Sequence, residues 1–184
     1  MNKKSHVVAP GLDTQRLRLR AFRSEDFEAF NNFWNEPAVY RHITGKTLSE
    51  EENWGRLMRL VGHWPLVGFG SWAVEERNSG EFIGQVGFGD YHREMATAMP
   101  EPEAGWALAA AWHGQGFAAE AMQAVVNWGD QHIDMPRTAC IIDLENLPSQ
   151  ILALKLGYIL AAETTYKDKP VQLLHRQRVI TQLP

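Results

Sequence analysis

The chain predicts a single α/β (α+β) domain: one mixed, mostly antiparallel twisted sheet of about seven strands, with about four helices on its faces. Three observations carry this. Arg16-Leu17-Arg18-Leu19-Arg20 alternates polar and apolar residues, the period of a strand with one solvent face. Two apolar runs, Ser71 to Glu76 and Phe82 to Phe88, flank Asn78-Ser79-Gly80, a hairpin turn. Finally, His113-Gly114-Gln115-Gly116-Phe117-Ala118 separates an apolar strand from a segment whose Phe117, Ala118, Ala121, Met122 and Val125 recur at helical spacing.

Taken in order, residues 1–11 read as a flexible tail and Leu12 to Arg23 as the first strand. Ser24-Glu25-Asp26 is a cap with an acidic first turn, opening a helix to about Trp34 that Pro37 ends. Ser49-Glu50-Glu51-Glu52 starts a second helix, with Trp54, Leu57, Met58 and Val61 expected on its inner side. The hairpin follows, then a proline-containing loop from Met95 to Pro102 and the strand Ala104 to Ala110. After the glycine turn, a helix runs to about Asp130. A strand spans Thr138 to Leu144 and a short helix about Pro148 to Leu156. The last hairpin begins near Tyr158, turns at Lys167-Asp168-Lys169-Pro170 and returns through Val171 to Arg178.

Composition narrows the class. The 184 residues suit one domain spanning 1–184, with 45% hydrophobic and 22% charged residues, both ordinary for a globular protein. No apolar run reaches the length of a membrane span, and the basic start leads into no apolar segment of a secretory signal, so a cytoplasmic protein is expected. A net charge of −4 argues against a nucleic-acid partner. The histidines and the single Cys140 form no metal-ligand spacing, so no metal is expected; Cys140 reads as an inert core thiol. Of the seven tryptophans, most are expected in the core or a pocket wall.

The glycine turn has its own chemistry. Two glycines let a ligand approach the backbone, and the free N–H groups of a helix start carry the positive end of its dipole, which is a phosphate site. The motif is neither a nucleotide triphosphate loop nor a full dinucleotide fingerprint, since Glu120 follows Ala119 where a third glycine might be sought.

With these motifs in their order, the chain resembles the GNAT superfamily of acyl-CoA-dependent N-acetyltransferases over about Leu12 to Arg178. The family's pyrophosphate motif matches residues 113–118, with His113 where the family has Gln or Arg. Glu103-Ala104-Gly105-Trp106-Ala107-Leu108 and Gly116-Phe117-Ala118-Ala119-Glu120-Ala121 are similar to the branch that acetylates ribosomal-protein N-termini. So are Asn146-Leu147-Pro148-Ser149 and Lys155-Leu156-Gly157-Tyr158.

The resemblance implies acetyl-CoA as co-substrate. Its pyrophosphate would rest on His113, Gly114, Gln115, Gly116, Phe117 and Ala118, and its pantetheine arm would run along Trp106, Ala107 and Leu108. Asn146 and Ser149 would face the arm from the other side, although Asn146 also reads as a helix cap. Glu103 is the first candidate for the base that takes the amine's proton, with Asp143, Glu145 or water in reserve. Many members carry a tyrosine where this chain has Ala153, leaving Ser149, or failing it Tyr166, as proton donor to sulfur. The acceptor implied is a peptide or protein N-terminal α-amine, with a small amine, amino acid or antibiotic as the alternative. A catalytically silent acyl-CoA-binding regulatory module competes, and the branch makes a homodimer an arrangement to expect.

Overall fold

The computed structural model describes residues 8–179, so the termini of the expected domain, and most of the tail read at residues 1–11, lie outside the described residues. Among the described residues, eight strands form one sheet in the order β1-β2-β3-β4-β5-β6-β8-β7. They are β1 (Leu12–Asp13), β2 (Leu17–Arg20), β3 (Ser71–Glu76), β4 (Phe82–Gly89), β5 (Glu103–Leu108), β6 (Arg137–Asp143), β7 (Ile159–Tyr166) and β8 (Lys169–Gln177). The α-helices are α1 (Phe27–Trp34), α2 (Pro37–Tyr40), α3 (Glu50–Val67), α4 (Phe117–His132) and α5 (Leu147–Lys155). Every neighbouring pair is antiparallel except β5 and β6. The class is the one predicted, with slightly higher counts.

The extra strand and helix have local causes. The expected first strand is broken at Thr14, whose N–H donates to the Leu17 carbonyl (2.9 Å), so Leu12–Asp13 folds back onto β2. Pro37 does end α1, and then occupies the first position of α2, where its missing N–H has no helical partner to lose.

Two apolar clusters cover the two faces of the sheet. One holds α4 against β2 to β6 and includes Trp64, Trp72 and Trp128, packed edge to face at centroid distances of 4.7–5.4 Å. Cys140 is buried in it, and that burial pushes its thiol up, as an inert core cysteine requires. The other holds α1 and α3, with Phe30, Phe33, Trp34, Leu57 and Leu60 against Ala73 and Ala107.

Helix α3 departs from its expected stripe. Leu57 is buried, but Trp54, Met58 and Val61 are 41–43% exposed. The buried side runs through Asn53, Leu57, Leu60 and Trp64, a parallel stripe one residue earlier that starts at a polar residue. Asn53 is tolerated there because its amide donates to Asn31 Oδ1 at 2.9 Å. Ser49 and Glu52 form a reciprocal capping box, which explains the acidic run at residues 50–52 as a helix start.

Candidate active site

Strands β5 and β6 share one register pair, Glu103 with Ala139, beside the Ala139 N–H bond to the Pro102 carbonyl (3.0 Å). Past it the strands part, so the β6-facing edge of β5 from Gly105 to Leu108 has no ladder partner among the described residues. On the other edge β5 pairs with β4 without a break from Gly89↔Glu103 to Gly84↔Leu108. Side chains therefore alternate cleanly along β5. Ala104 and Leu108 join the α4 cluster, while Ala107 meets the α1–α3 cluster. Glu103 and Gly105 share the face of Ala107. Gly105 is exposed, and a Cβ there would meet nothing within 4 Å, which leaves an open floor beside Glu103.

At the far end of β5 the chain turns through residues 113–116 into α4. Gly114 and Gly116 have φ of +72° and +81°, which side-chain-bearing residues adopt only with strain. Gly116 caps α4 with no side chain bonded to the helix start. The backbone N–H groups of residues 114–119 have no acceptor among the described residues, and the first intrahelical bond runs from Glu120 N to Gly116 O (3.0 Å). This cradle of free donors at a 16-residue helix fits a diphosphate. His113 is exposed, and its ring Nε2–H donates to the Leu108 carbonyl at 2.7 Å. It joins the end of β5 to the turn.

Sequence reasoning missed Arg16. Read only as part of a strand, it reaches the turn across the fold: its guanidinium lies 4.0 Å over the Phe117 ring, and Nη1 donates to the Gln115 carbonyl (3.0 Å). Glu120 holds it there, accepting from Arg16 N (2.8 Å), Arg16 Nε (2.6 Å) and the Thr14 hydroxyl (2.6 Å). Burial raises the Glu120 carboxyl, but these bonds outweigh it and hold the group below its usual range.

Across the opening, Asn146 caps α5, its Oδ1 accepting from the Ser149 N–H at 3.3 Å. The Ser149 hydroxyl accepts from Trp106 Nε1 at 3.2 Å, a bond that spans from β5 to α5. Accepting that bond leaves the hydroxyl proton available as a donor. Ala153 is buried in the core.

On the opposite face, Glu103 is buried and gripped by Arg93 in a two-pronged ion pair, with Nη2 at 2.7 Å from Oε1. Burial pushes the Glu103 carboxyl up, and Arg93 opposes that shift. The Arg93 guanidinium is itself packed over Tyr166 (4.6 Å) and Tyr91 (4.9 Å). One arginine from the loop before β5 thus joins Glu103 to Tyr166. In sequence it is one charge in His92-Arg93-Glu94, with nothing to mark it. The reserve carboxylates stand apart: Asp143 faces His42 at 3.7 Å and accepts from Glu145 N–H (2.8 Å), while Glu145 is exposed. Among the described residues there is no cluster of metal-ligating side chains and no helix long and apolar enough to cross a membrane.

A family model described as an acetyltransferase (GNAT) domain matches residues 16–159. YkkB of Bacillus subtilis, a protein of unassigned activity, is 29% identical over 96% of this chain and 98% of its own length. A protein of Bordetella pertussis assigned to the GnaT-family acetyltransferases superposes with a TM-score of 0.81 at 30% identity, over 91% of this chain and 99% of that one. The likeness of fold extends to two proteins of lower identity. One is a Salmonella typhimurium enzyme that modifies the N-terminal serine of ribosomal protein L7/L12 (TM-score 0.70, 17% identity, 89% and 96% covered). The other is spermidine N-acetyltransferase of Vibrio cholerae (TM-score 0.70, 16% identity, 90% and 97% covered).

Proposed function

The chain belongs to the GNAT acetyltransferase family and is an acetyl-transfer enzyme, and on that premise we propose that it moves acetyl from acetyl-CoA to a primary amine. The observation that carries this reading is the parting of β5 from β6 beyond Glu103↔Ala139, which ends beside the unpaired N–H groups of residues 114–119. A phosphate-bearing arm can enter between the strands while its diphosphate meets the helix start. The leading acceptor is a peptide or protein α-amine, with a small amine second.

Bound acetyl-CoA supplies an activated acyl group, so that a C–N bond forms as the C–S bond breaks. The chain's own residues have four tasks. The turn and the α4 start hold the diphosphate, with Arg16 bracing the Gln115 carbonyl and Phe117. An unpaired N–H on the β6-facing edge of β5 polarises the thioester carbonyl. Glu103, through a water molecule over Gly105, receives the proton lost by the attacking nitrogen, while Arg93 orients the carboxylate. Ser149, on the other side of β5, returns a proton to the departing sulfur.

The test of the base is Glu103→Gln. Its expected result is a fall in kcat on the order of 10²-fold, with acetyl-CoA affinity by calorimetry nearly intact. Because burial raises the Glu103 carboxyl, activity should rise with pH through a limb above the ordinary carboxylate range, and this limb should vanish in the variant. Unchanged turnover at every pH would remove Glu103 from the chemistry. Ser149→Ala should cost less, roughly tenfold in kcat, because a thiol of pKa about 8.5 leaves readily near neutral pH. Single-turnover thiol release measures it, and an unaltered rate would return the proton transfer to water.

A further inference from the structure

On the α1–α3 face the charges are unbalanced. Arg56 of α3 is partly buried, with its guanidinium 3.7 Å over the Trp34 ring, and it has neither a carboxylate nor a hydrogen-bond partner among the described residues. Trp34 is 3% exposed, and its Nε1–H is buried without an acceptor among the described residues. The indole N–H is thus an orphan, where buried donors are nearly always satisfied, and the guanidinium beside it has no partner in the protein among the described residues. The charged groups facing Arg56 do not compensate it. Arg59 and Arg93 are both cationic, the second already neutralised by Glu103, and Tyr91 is a phenol whose burial keeps it neutral. Burial, followed by the repulsion of Arg59 and Arg93, lowers the Arg56 guanidinium to about 10.

This unpaired cation stands on the acceptor side. Trp34 packs in the cluster that touches Ala107, two positions from Gly105 and on its face of β5. Ala107 is in register with Gln85, which is in register with Ala73 of the same cluster. Gln85 carries a buried Oε1 with no donor among the described residues, so this stretch of the floor holds a further unpaired polar atom.

Resting on the acetyltransferase reading, we propose that the acceptor is an amine that also carries a carboxylate, received by the partly exposed Arg56 guanidinium where it lies over the Trp34 indole. A planar guanidinium over an aromatic ring is built for a carboxylate. The same surroundings oppose a polyamine, whose second ammonium would lie among Arg56, Arg59 and Arg93. The carboxylate has two sources, the α-carboxylate of a free amino acid or an acidic side chain next to a peptide N-terminus.

Matched pairs separate them: L-alanine against L-alaninamide, and seryl-aspartyl-alaninamide against seryl-asparaginyl-alaninamide. With acetyl-CoA present, the carboxylate member of at least one pair should be favoured about tenfold in kcat/KM, and which pair responds identifies the source. Arg56→Gln should abolish that preference through KM, leaving acetyl-CoA affinity unchanged, and Arg56→Lys should keep part of it. A second readout needs no turnover. In ¹H–¹⁵N spectra of the wild-type protein with CoA, the Trp34 indole resonance, assigned by its loss in Trp34→Phe, should move with the carboxylate member and not with its amide. If neither pair is discriminated by turnover or by that resonance, the assignment is wrong. Loss of acetyl-CoA binding would instead strike the transferase reading, while the indole resonance would still report carboxylate recognition.

Discussion

Gly116→Val should weaken acetyl-CoA binding by at least about 100-fold, roughly 2.7 kcal/mol, measured by calorimetry. Two effects act together. At φ +81° a β-branched residue is strained, so the backbone would turn its N–H groups away from their convergent arrangement. A Cβ would also lie 3.6 Å from Arg16 Nη2, and the two further methyls of valine would enter the space over the turn and displace the brace to Gln115. Residues 113–116 are exposed, so thermal stability should fall far less than affinity. Undiminished affinity would mean that the diphosphate does not rest on this turn.

The second large effect lies in the scaffold. Asp130 near the end of α4 grips Arg176 of β8 through two bonds of 2.6 and 2.7 Å, with side chains only 12% and 10% exposed. Arg176 also donates to the Leu156 carbonyl at the end of α5 (2.9 Å), so one guanidinium ties together α4, α5 and β8. The Asp130 bonds raise the guanidinium further above its ordinary value, and it stays charged at any working pH. Asp130→Ala leaves that charge uncompensated and should cost about 3–5 kcal/mol. At 2–4 °C per kcal/mol for a domain of this size, Tm should drop by roughly 6–20 °C. Pairing Asp130→Leu with Arg176→Met should recover much of the loss, because the penalty comes from the stranded charge. A drop of less than about 1 kcal/mol in Asp130→Ala would show that water reaches the guanidinium, since exposed pairs are worth no more than that.

Much of the architecture was legible because its signals are local. The β3–β4 hairpin is written in two apolar runs around Asn78-Ser79-Gly80. The glycine turn announces itself by two residues that tolerate positive φ before an apolar-striped helix. The errors came where a local pattern admits two answers. The stripe Trp54-Met58-Val61 has the same helical period as the true one, and only packing against α1 and the sheet selected Asn53, Leu57, Leu60 and Trp64. The break at Thr14 depends on pairing with β2, which alternation alone cannot reveal.

The candidate site divides in the same way. The glycine turn proposed to hold the diphosphate, and the strand beside it, could be read from the amino-acid order, because backbone chemistry follows from glycine spacing and helix starts. The same order set Glu103 and Ser149 near the ends of their elements. Their partners came from folding. Arg93 meets Glu103 from ten residues away, Trp106 meets Ser149 from 43, and Arg16 reaches Gln115 from 99. Arg56 over Trp34, with no anion beside it among the described residues, appears only once α1 and α3 lie on the same face. The physical reason is range. Backbone geometry is dictated by neighbours in sequence, whereas a charge takes its character from whatever folding brings within a few ångströms.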